Sequence, residues 1–463
     1  MQTFKMQKLT DKASVRWSVM IIVSFTMMCG YILTDIMAPL KDVLESELNW
    51  SSTDYGIFSG AYGYLNVFLL MIIFGGLILD KLGIRFTGLT SALLMLIGAT
   101  IKYFAIDALP STETIFGINS QVLYASLGFA IFGVGCEIMN ITVTKIIVKW
   151  FKGKEIALAL GLQVAVARIG TIMALMFAMP IAEYFGIMND GKLVDYNQAM
   201  PILMCLLFLC IGFVGFIGYS FFDKKLDKQT NGELNVDSDE EKFKISDVKN
   251  VITNKGFWLI AIICVFFYSA VFPFLKYASD LMVHKYNVEP SLAGIIPSVL
   301  PFGTMVLTPL FGMMYDRKGY GASIMIFGSL LLVLVHAMFA MPLFNNWIFA
   351  LILMFILGAA FSLVPSAMWP SVPKIINEKE LGTAYSLIFW VQNWGLMGFP
   401  LLIGWILEKY CIVSSVGDDK IKYDYTLPMI IFASLGVIAM LFAIWLKRED
   451  KSKSYGLEEP NIK

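Results

Sequence analysis

Residues 76–85 read GLILDKLGIR and residues 312–321 read GMMYDRKGYG. Both follow the pattern Gly-x-apolar-x-Asp-(Lys/Arg)-x-Gly, and each closes a long apolar block with a charged turn. A second echo links Lys154-Glu155-x-x-x-Ala159 to Lys379-Glu380-x-x-x-Ala384. Matching pairs in the same order divide the chain into two related halves.

The halves are made for hydrocarbon. Of 463 residues, 58% are hydrophobic and 15% charged, whereas soluble domains run nearer half and a quarter; the mean hydropathy is +0.72. The excess lies in blocks of about 20 to 30 residues, each able to cross a bilayer core of about 30 Å as a helix. Twelve spans are predicted, starting near Trp17, Asp54, Phe86, Ser120, Glu155 and Gln198, then near Phe257, Pro290, Ala322, Asn346, Leu381 and Tyr425. The pattern therefore predicts an all-α membrane protein. Six spans occupy residues 1–222, a polar linker with room for a short amphipathic helix occupies 223–255, and six more spans occupy 256–463. Lys and Arg number roughly 25 on the face that carries the termini and about 6 on the other, which orients both termini to the cytoplasm.

Net charge is zero, so no global field draws nucleic acid or an acidic partner. The bilayer is the expected surrounding. The six cysteines lie mostly inside apolar blocks without metal-ligand spacing and read as small buried hydrophobes. Two histidines leave little for a metal enzyme, and no nucleophile–base spacing or phosphate loop is present. Neither a cofactor nor enzyme activity is expected. The basic stretch MQTFKMQKLTDKASVRW precedes a span too long for a signal sequence and reads as a tail.

The repeated loops have a mechanical reading. Gly76 would let two helices approach, Asp80 can accept from a helix N-terminus or a cation, and Gly83 suits a tight turn. With Lys81 and Arg85, and with Asp316 and Arg317 in the second copy, these residues form a candidate latch. It would hold the halves together on the terminal face in one state and release them in another. The plainer alternative is a charged loop that only fixes topology. Here the chain resembles the major facilitator superfamily, whose signature loop is matched at Gly76, Asp80, Lys81, Gly83 and Arg85. It departs at Ile84, where a basic residue is usual, and the second copy is weaker at Tyr320 and Gly321. The resemblance covers all twelve spans and implies two pseudo-symmetric six-helix bundles rocking about a central site.

Ionisable side chains inside a span are functional candidates, because hydrocarbon offers them no partner. Lys102, Asp107 and Lys145 lie within reach of helix ends and can snorkel. Asp35 can cap the Pro39 turn, and Lys276 and Asp280 have the spacing of an i,i+4 ion pair. Glu137 in FGVGCEIMN and Arg168 in VAVARIG stand apart. Their spans meet at a turn near Lys152-Gly153, and each charge lies ~23 Å from it at about 1.5 Å per residue, so they share one depth. One reading is a salt bridge gluing spans four and five. The other starts from the poor return on a buried ion pair and makes the two residues a site for a zwitterion. Arg168 would fork to a carboxylate and Glu137 would accept from an ammonium, the two pairing at rest. Gly133 and Gly135 leave room for a helix or a substrate backbone. The repeat maps Arg168 onto Asn393, so Gln392 and Asn393 would form a neutral wall opposite. Trp369-Pro370 is expected to break the tenth helix and bring a large ring. Tyr31, Tyr62 and Tyr64 are lining or packing.

These residues narrow the resemblance. Trp150-Phe151-Lys152-Gly153-Lys154-Glu155, Gly161-Leu162-Gln163 and Ala167-Arg168-Ile169-Gly170 look like the lysosomal dipeptide transporter branch of the superfamily. So do Phe272-Pro273-Phe274, Trp369-Pro370, Leu381-Gly382-Thr383-Ala384-Tyr385 and Gln392-Asn393. The resemblance implies a dipeptide uniporter, with Glu137 and Arg168 at the dipeptide's termini and Trp369, Gln392 and Asn393 beside them. The branch's preference for cationic side chains transfers less well, because Lys276 stands where a small residue is usual. The tail shows no acidic dileucine signal, so a bacterial cell membrane is preferred, and a lysosomal membrane if the source is eukaryotic. The branch's glycosylated accessory subunit finds no support in the short outward loops. A second hypothesis makes Glu137 a proton-coupling group in a carrier of organic anions or sugar acids. A third, an enzyme or sensor on this scaffold, has no residue constellation behind it.

Overall fold

Apolar blocks of this length have one economical form in lipid, since a helix satisfies its own backbone groups and an open strand does not. The computed structural model has that form, with large apolar side chains such as Phe177, Leu207, Val214 and Phe327 left exposed on the helices' outer sides. It describes residues 9–462 except 116, 153, 191, 231–244, 344 and 414–420. The first eight residues, Gly153 of the predicted turn and the middle of the linker thus lie outside the described residues.

Among the described residues, 11 helices are long and apolar enough to cross a membrane. The further crossing is the second, which is not one helix. It runs as Ser52–Gly60, a 3-10 turn Ala61–Gly63 and Tyr64–Phe68, then resumes at Met71. The helix Met71–Ala108 in turn holds parts of two crossings, because Gly83 breaks it at φ +77° and ψ 171°. A side chain has no comfortable place at those angles, so the predicted turn requires glycine. The remaining crossings of the first half are Ala13–Leu48, Ser120–Phe151, Ile156–Tyr184 and Ala199–Thr230. Those of the second half are Lys255–Tyr286, Pro290–Lys318, Gly321–Ala340, Trp347–Ile375, Leu381–Tyr410 and Thr426–Lys453.

Local chemistry sets several boundaries. Ser51 and Asp54 form a reciprocal capping box that starts the second crossing. Asn119, Asn254 and Asn346 cap the fourth, seventh and tenth with their side-chain oxygens. The sixth helix continues to Thr230, past the predicted start of the linker at residue 223. Charge explains the extension: Arg85 and Lys149 both reach Asp223 and Asp227 on that last stretch. The linker's amphipathic helix is Ile245–Thr253. On the face away from the termini, three connections fold into two-stranded antiparallel ribbons.

Two helical expectations fail. The tenth helix runs unbroken through Pro365, Pro370 and Pro373. A bundle tolerates these prolines because neighbours make good the missing donors. Pro373 leaves the Trp369 carbonyl without its usual N–H, and Tyr385 Oη donates to it at 3.4 Å. Gly76 is not a close approach, for a Cβ there would meet nothing within 4 Å. The tight contact lies deeper, between spans three and four, where a Cβ on Gly98 would come 2.4 Å from the Gly128 carbonyl oxygen.

The two faces join differently. On the terminal face, Asp80 pairs with Lys145 at 2.9 Å, inside the first half. Asp316 accepts from Asn461 Nδ2 at 2.8 Å, inside the second, while Lys81 and Arg317 are exposed. The loop residues therefore brace each half in this state instead of latching the halves together, and Lys145 is paired instead of snorkelling. The ion pairs that cross between halves, among the described residues, all lie on the opposite face. They are Lys41–Asp280 at 2.9 Å, Asp35–Lys276 at 2.6 Å and Asp42–His284 at 3.9 Å.

Gly98→Val should force spans three and four apart and cost about 1–3 kcal/mol, seen as a lower melting temperature in detergent. Gly76→Ala should leave that temperature unchanged or slightly raised, since alanine is the better helix former. Equal losses at both positions would refute this packing account.

Candidate functional site

Two glycines deliver two tyrosines to the two predicted charges. A Cβ on Gly133 would come 2.3 Å from the Tyr62 carbonyl oxygen, so the 3-10 turn of span two lies directly on span four. One helical turn further along, Tyr62 Oη donates to Glu137 Oε1 at 2.9 Å. A Cβ on Gly170 would come 2.4 Å from the Met28 carbonyl oxygen and 3.2 Å from Tyr31 Cβ, which seats span one against span five. Of the two occupants left open for Gly133 and Gly135, both take a helix backbone, since Gly135 meets the Ser91 carbonyl.

Arg168 is held by rings. Its guanidinium carbon lies 5.7 Å from the ring centre of Tyr31, 5.5 Å from Phe272 and 5.6 Å from Phe361. Each such contact contributes about 0.5–2 kcal/mol, the upper end when water is excluded. No ion pair with Glu137 forms among the described residues. The predicted resting pair fails because each charge finds another partner, the Tyr62 hydroxyl for Glu137 and the rings of Tyr31, Phe272 and Phe361 for Arg168.

A cavity of about 120 Å³ lies between the halves. Tyr31, Asp35, Tyr62 and Glu137 line it from the first half, and Phe272, Lys276 and Gln392 from the second. Arg168 is not part of this wall, but its guanidinium faces the rings of Tyr31 and Phe272, which are. Gln392 Oε1 accepts from Cys264 Sγ at 3.4 Å. Asn393 and Trp369 are not on the wall. Asn393 Nδ2 donates to the Phe389 carbonyl at 3.0 Å and its Oδ1 is buried without a partner. Trp369 Nε1 donates to Tyr268 Oη at 2.9 Å, and its ring stacks 4.9 Å from Phe389. Tyr64 Oη donates to the Ile57 carbonyl at 3.1 Å, a packing role.

The residues that sequence reasoning set aside prove central to the cavity. Asp35 does not cap the Pro39 turn, and Lys276 does not pair with Asp280. Lys276 Nζ lies 2.6 Å from Asp35 Oδ1 and 2.6 Å from the Thr34 carbonyl oxygen. Thr171 Oγ1 donates to Asp35 Oδ2 at 2.9 Å. Asp280 turns instead to Lys41, a pair with both side chains fully buried, and also accepts from Tyr425 Oη. Lys102 does not snorkel either; it is buried, donates to the Leu33 carbonyl at 3.2 Å and faces the rings of Phe58 and Phe129. A signal for Asp35 and Lys276 was present: opposite charges on spans one and seven, which correspond in the repeat.

A larger cleft, about 280 Å³, lies at the loop of residues 79–85, where Asp80, Arg85, Lys145 and Lys149 face it. Those charges already pair with one another or with Asp223 and Asp227, so it reads as a braced seam. Asp42, Asp280 and His284 are close enough together to hold a cation, but the Lys41 ammonium already sits 2.9 Å from Asp280.

The family description Major Facilitator Superfamily matches residues 20–400 and 274–461. The chain belongs to the major facilitator superfamily. As a superfamily member it is a multi-pass membrane transporter. It is 28% identical over 393 residues to the lysosomal dipeptide transporter MFSD1 of Danio rerio, covering 84% of this chain and 80% of that one. To the Homo sapiens protein of that name it is 27% identical over 398 residues, covering 85% and 80%. A variant of the nucleoside transporter NupG superposes with a TM-score of 0.66 at 15% identity, covering 92% of this chain and 99% of that one. A bacterial homologue of the human lysosomal transporter Spinster, inward-facing and occupied, gives 0.66 at 14%, covering 94% and 97%. At such identities the structural matches speak for the fold alone.

Tyr62→Phe removes the hydrogen bond to Glu137 and leaves a carboxyl without its donor. The expected cost is about 1–3 kcal/mol of stability, measured as a lowered melting temperature that is absent when the same substitution is made in a Glu137→Leu background, which has no acceptor.

Proposed function

We propose that this chain carries dipeptides, or other small zwitterionic peptides, by alternating access as a uniporter. The observation that carries the reading is a cavity between the halves with opposite charges on its walls: Glu137 from the first half and Lys276 from the second, with Arg168 against the wall's Tyr31 and Phe272 rings. A peptide ammonium would take Glu137 in place of the Tyr62 hydroxyl. Its carboxylate would meet the cationic side. Arg168 is suited to that end because rings hold it and, among the described residues, no carboxylate takes its forked donors. Gln392 offers an amide to the peptide bond, and the buried Asn393 Oδ1 and the Trp369 ring back the wall. The relatives named as dipeptide transporters support the same substrate class.

Alternating access would rock residues 1–222 against 256–463, with the loops at Gly76, Asp80, Lys81, Gly83, Arg85, Asp316 and Arg317 bracing each half. The excess of Lys and Arg supports cytoplasmic termini. The proposed residence is a bacterial cell membrane, or the lysosomal membrane in a eukaryotic cell. Uptake of a labelled dipeptide into proteoliposomes tests the reading. Arg168→Ala and Glu137→Gln should each cut uptake at least about tenfold, the equivalent of roughly 1.4 kcal/mol. Arg168→Lys should not restore it, because an ammonium cannot fork. Wild-type rates in both variants would remove the site assignment.

One observation favours a second reading, a proton-coupled carrier of organic anions or sugar acids. Glu137 faces the cavity with a phenol as its hydrogen-bond partner and, among the described residues, no ion pair. An imposed pH gradient that drives uptake in wild type and not in Glu137→Gln would decide for coupling over uniport.

A further inference from the structure

The cation that reaches the cavity wall is tied to the opposite half. Lys276 and Asp35 both line the cavity, and their 2.6 Å contact is also a crossing between the halves. The same two side chains form part of the wall and part of the closure. We propose that substrate exchanges this pair: the carboxylate of a bound peptide takes Lys276 from Asp35, and loss of that tie loosens the face away from the termini. The inference rests on the dipeptide reading and gives Lys276 and Asp35 a role that Glu137 and Arg168 do not have.

The argument is electrostatic. The two side chains are only 13% and 11% exposed, and an ion buried to that degree cannot be left without a partner cheaply. Lys276 can leave Asp35 only when another anion takes its place. A peptide carboxylate is such an anion, and Glu137 on the same wall can answer the ammonium at the peptide's other end. The contact of Lys276 with the Thr34 carbonyl also crosses between the halves and parts with the tie, while Asp35 keeps the Thr171 hydroxyl within its own half and gains water as that face opens. The number of ion pairs is unchanged, but one has moved from between the halves to between protein and substrate. One helical turn further along span seven, Asp280 holds Lys41 in a pair with no exposed side chain, so the Lys276–Asp35 tie is the crossing pair that the cavity reaches. Substrate thereby shifts the equilibrium between closed and open by its differential affinity for the two states.

Binding of alanyl-alanine to purified protein, with alanyl-alaninamide as the probe lacking a carboxylate, tests this. Asp35→Asn removes the internal competitor and should tighten alanyl-alanine binding, whereas Lys276→Met removes the receptor and should weaken it, each by about tenfold. Lys276→Arg keeps the cation and should stay within about threefold of wild type, separating charge from misfolding. The amide should bind wild type weakly and be indifferent to Lys276→Met. A purely structural tie predicts that both neutralising variants move the affinity in one direction, or that acid and amide respond alike; either result overturns the exchange while leaving the dipeptide reading intact. Failure of wild type to bind any dipeptide overturns both.

Discussion

A charge placed inside a bilayer must be answered by another charge, a ring or a backbone carbonyl, and the answers this chain uses decide how its halves meet. Lys102 takes a carbonyl and two rings, a purely local solution within the first half. Arg168 takes three rings, drawn from spans one, seven and ten, and so reaches across to the second half without an ion pair. Lys276 and Lys41 take carboxylates from the opposite half. The costliest groups to bury thus hold the two bundles together on one face. A pair formed between rigid bodies can be broken by moving them, whereas one formed within a helix hairpin cannot.

Small residues make that arrangement specific. Gly133 and Gly170 each sit within a turn of a charged residue, and each admits the backbone of another helix. The consequence is chemical as well as steric: a phenol arrives at Glu137, and a ring arrives at Arg168. With a phenol on one and rings around the other, the acid and the guanidinium form no pair with each other among the described residues. A larger side chain at either glycine would displace a helix and with it the tyrosine that the charge depends on.

The repeated loops play against this. In both copies the aspartate is satisfied inside its own half, by Lys145 in one and by Asn461 in the other. Braced halves that share few polar ties on the terminal face, but several on the opposite face, have the asymmetry expected of one end-state of a rocking carrier. The repeat supplies two like bundles; the side chains where they touch decide which end is shut.

The amino-acid sequence alone determined what depends on local composition and period. Apolar block length set the crossings, the loop repeats set the halves, and Gly83 set the turn. The same logic offered Tyr31, Tyr62 and Tyr64 as lining or packing and Gln392 with Asn393 as a wall, and only the fold put Tyr31, Tyr62 and Gln392 on the cavity. That logic misjudged Pro370, because it counts donors lost within a helix but not those a neighbour can return, as Tyr385 does beside Pro373. Partner choice was beyond it. Lys276 is one helical turn from Asp280, and a sequence offers that acid first; only packing reveals Asp35 at 2.6 Å and gives Asp280 to Lys41. Spacing along a helix fixes which residues share a face, but which charge answers which is settled by the distance between helices, and that distance exists only once the two halves have met.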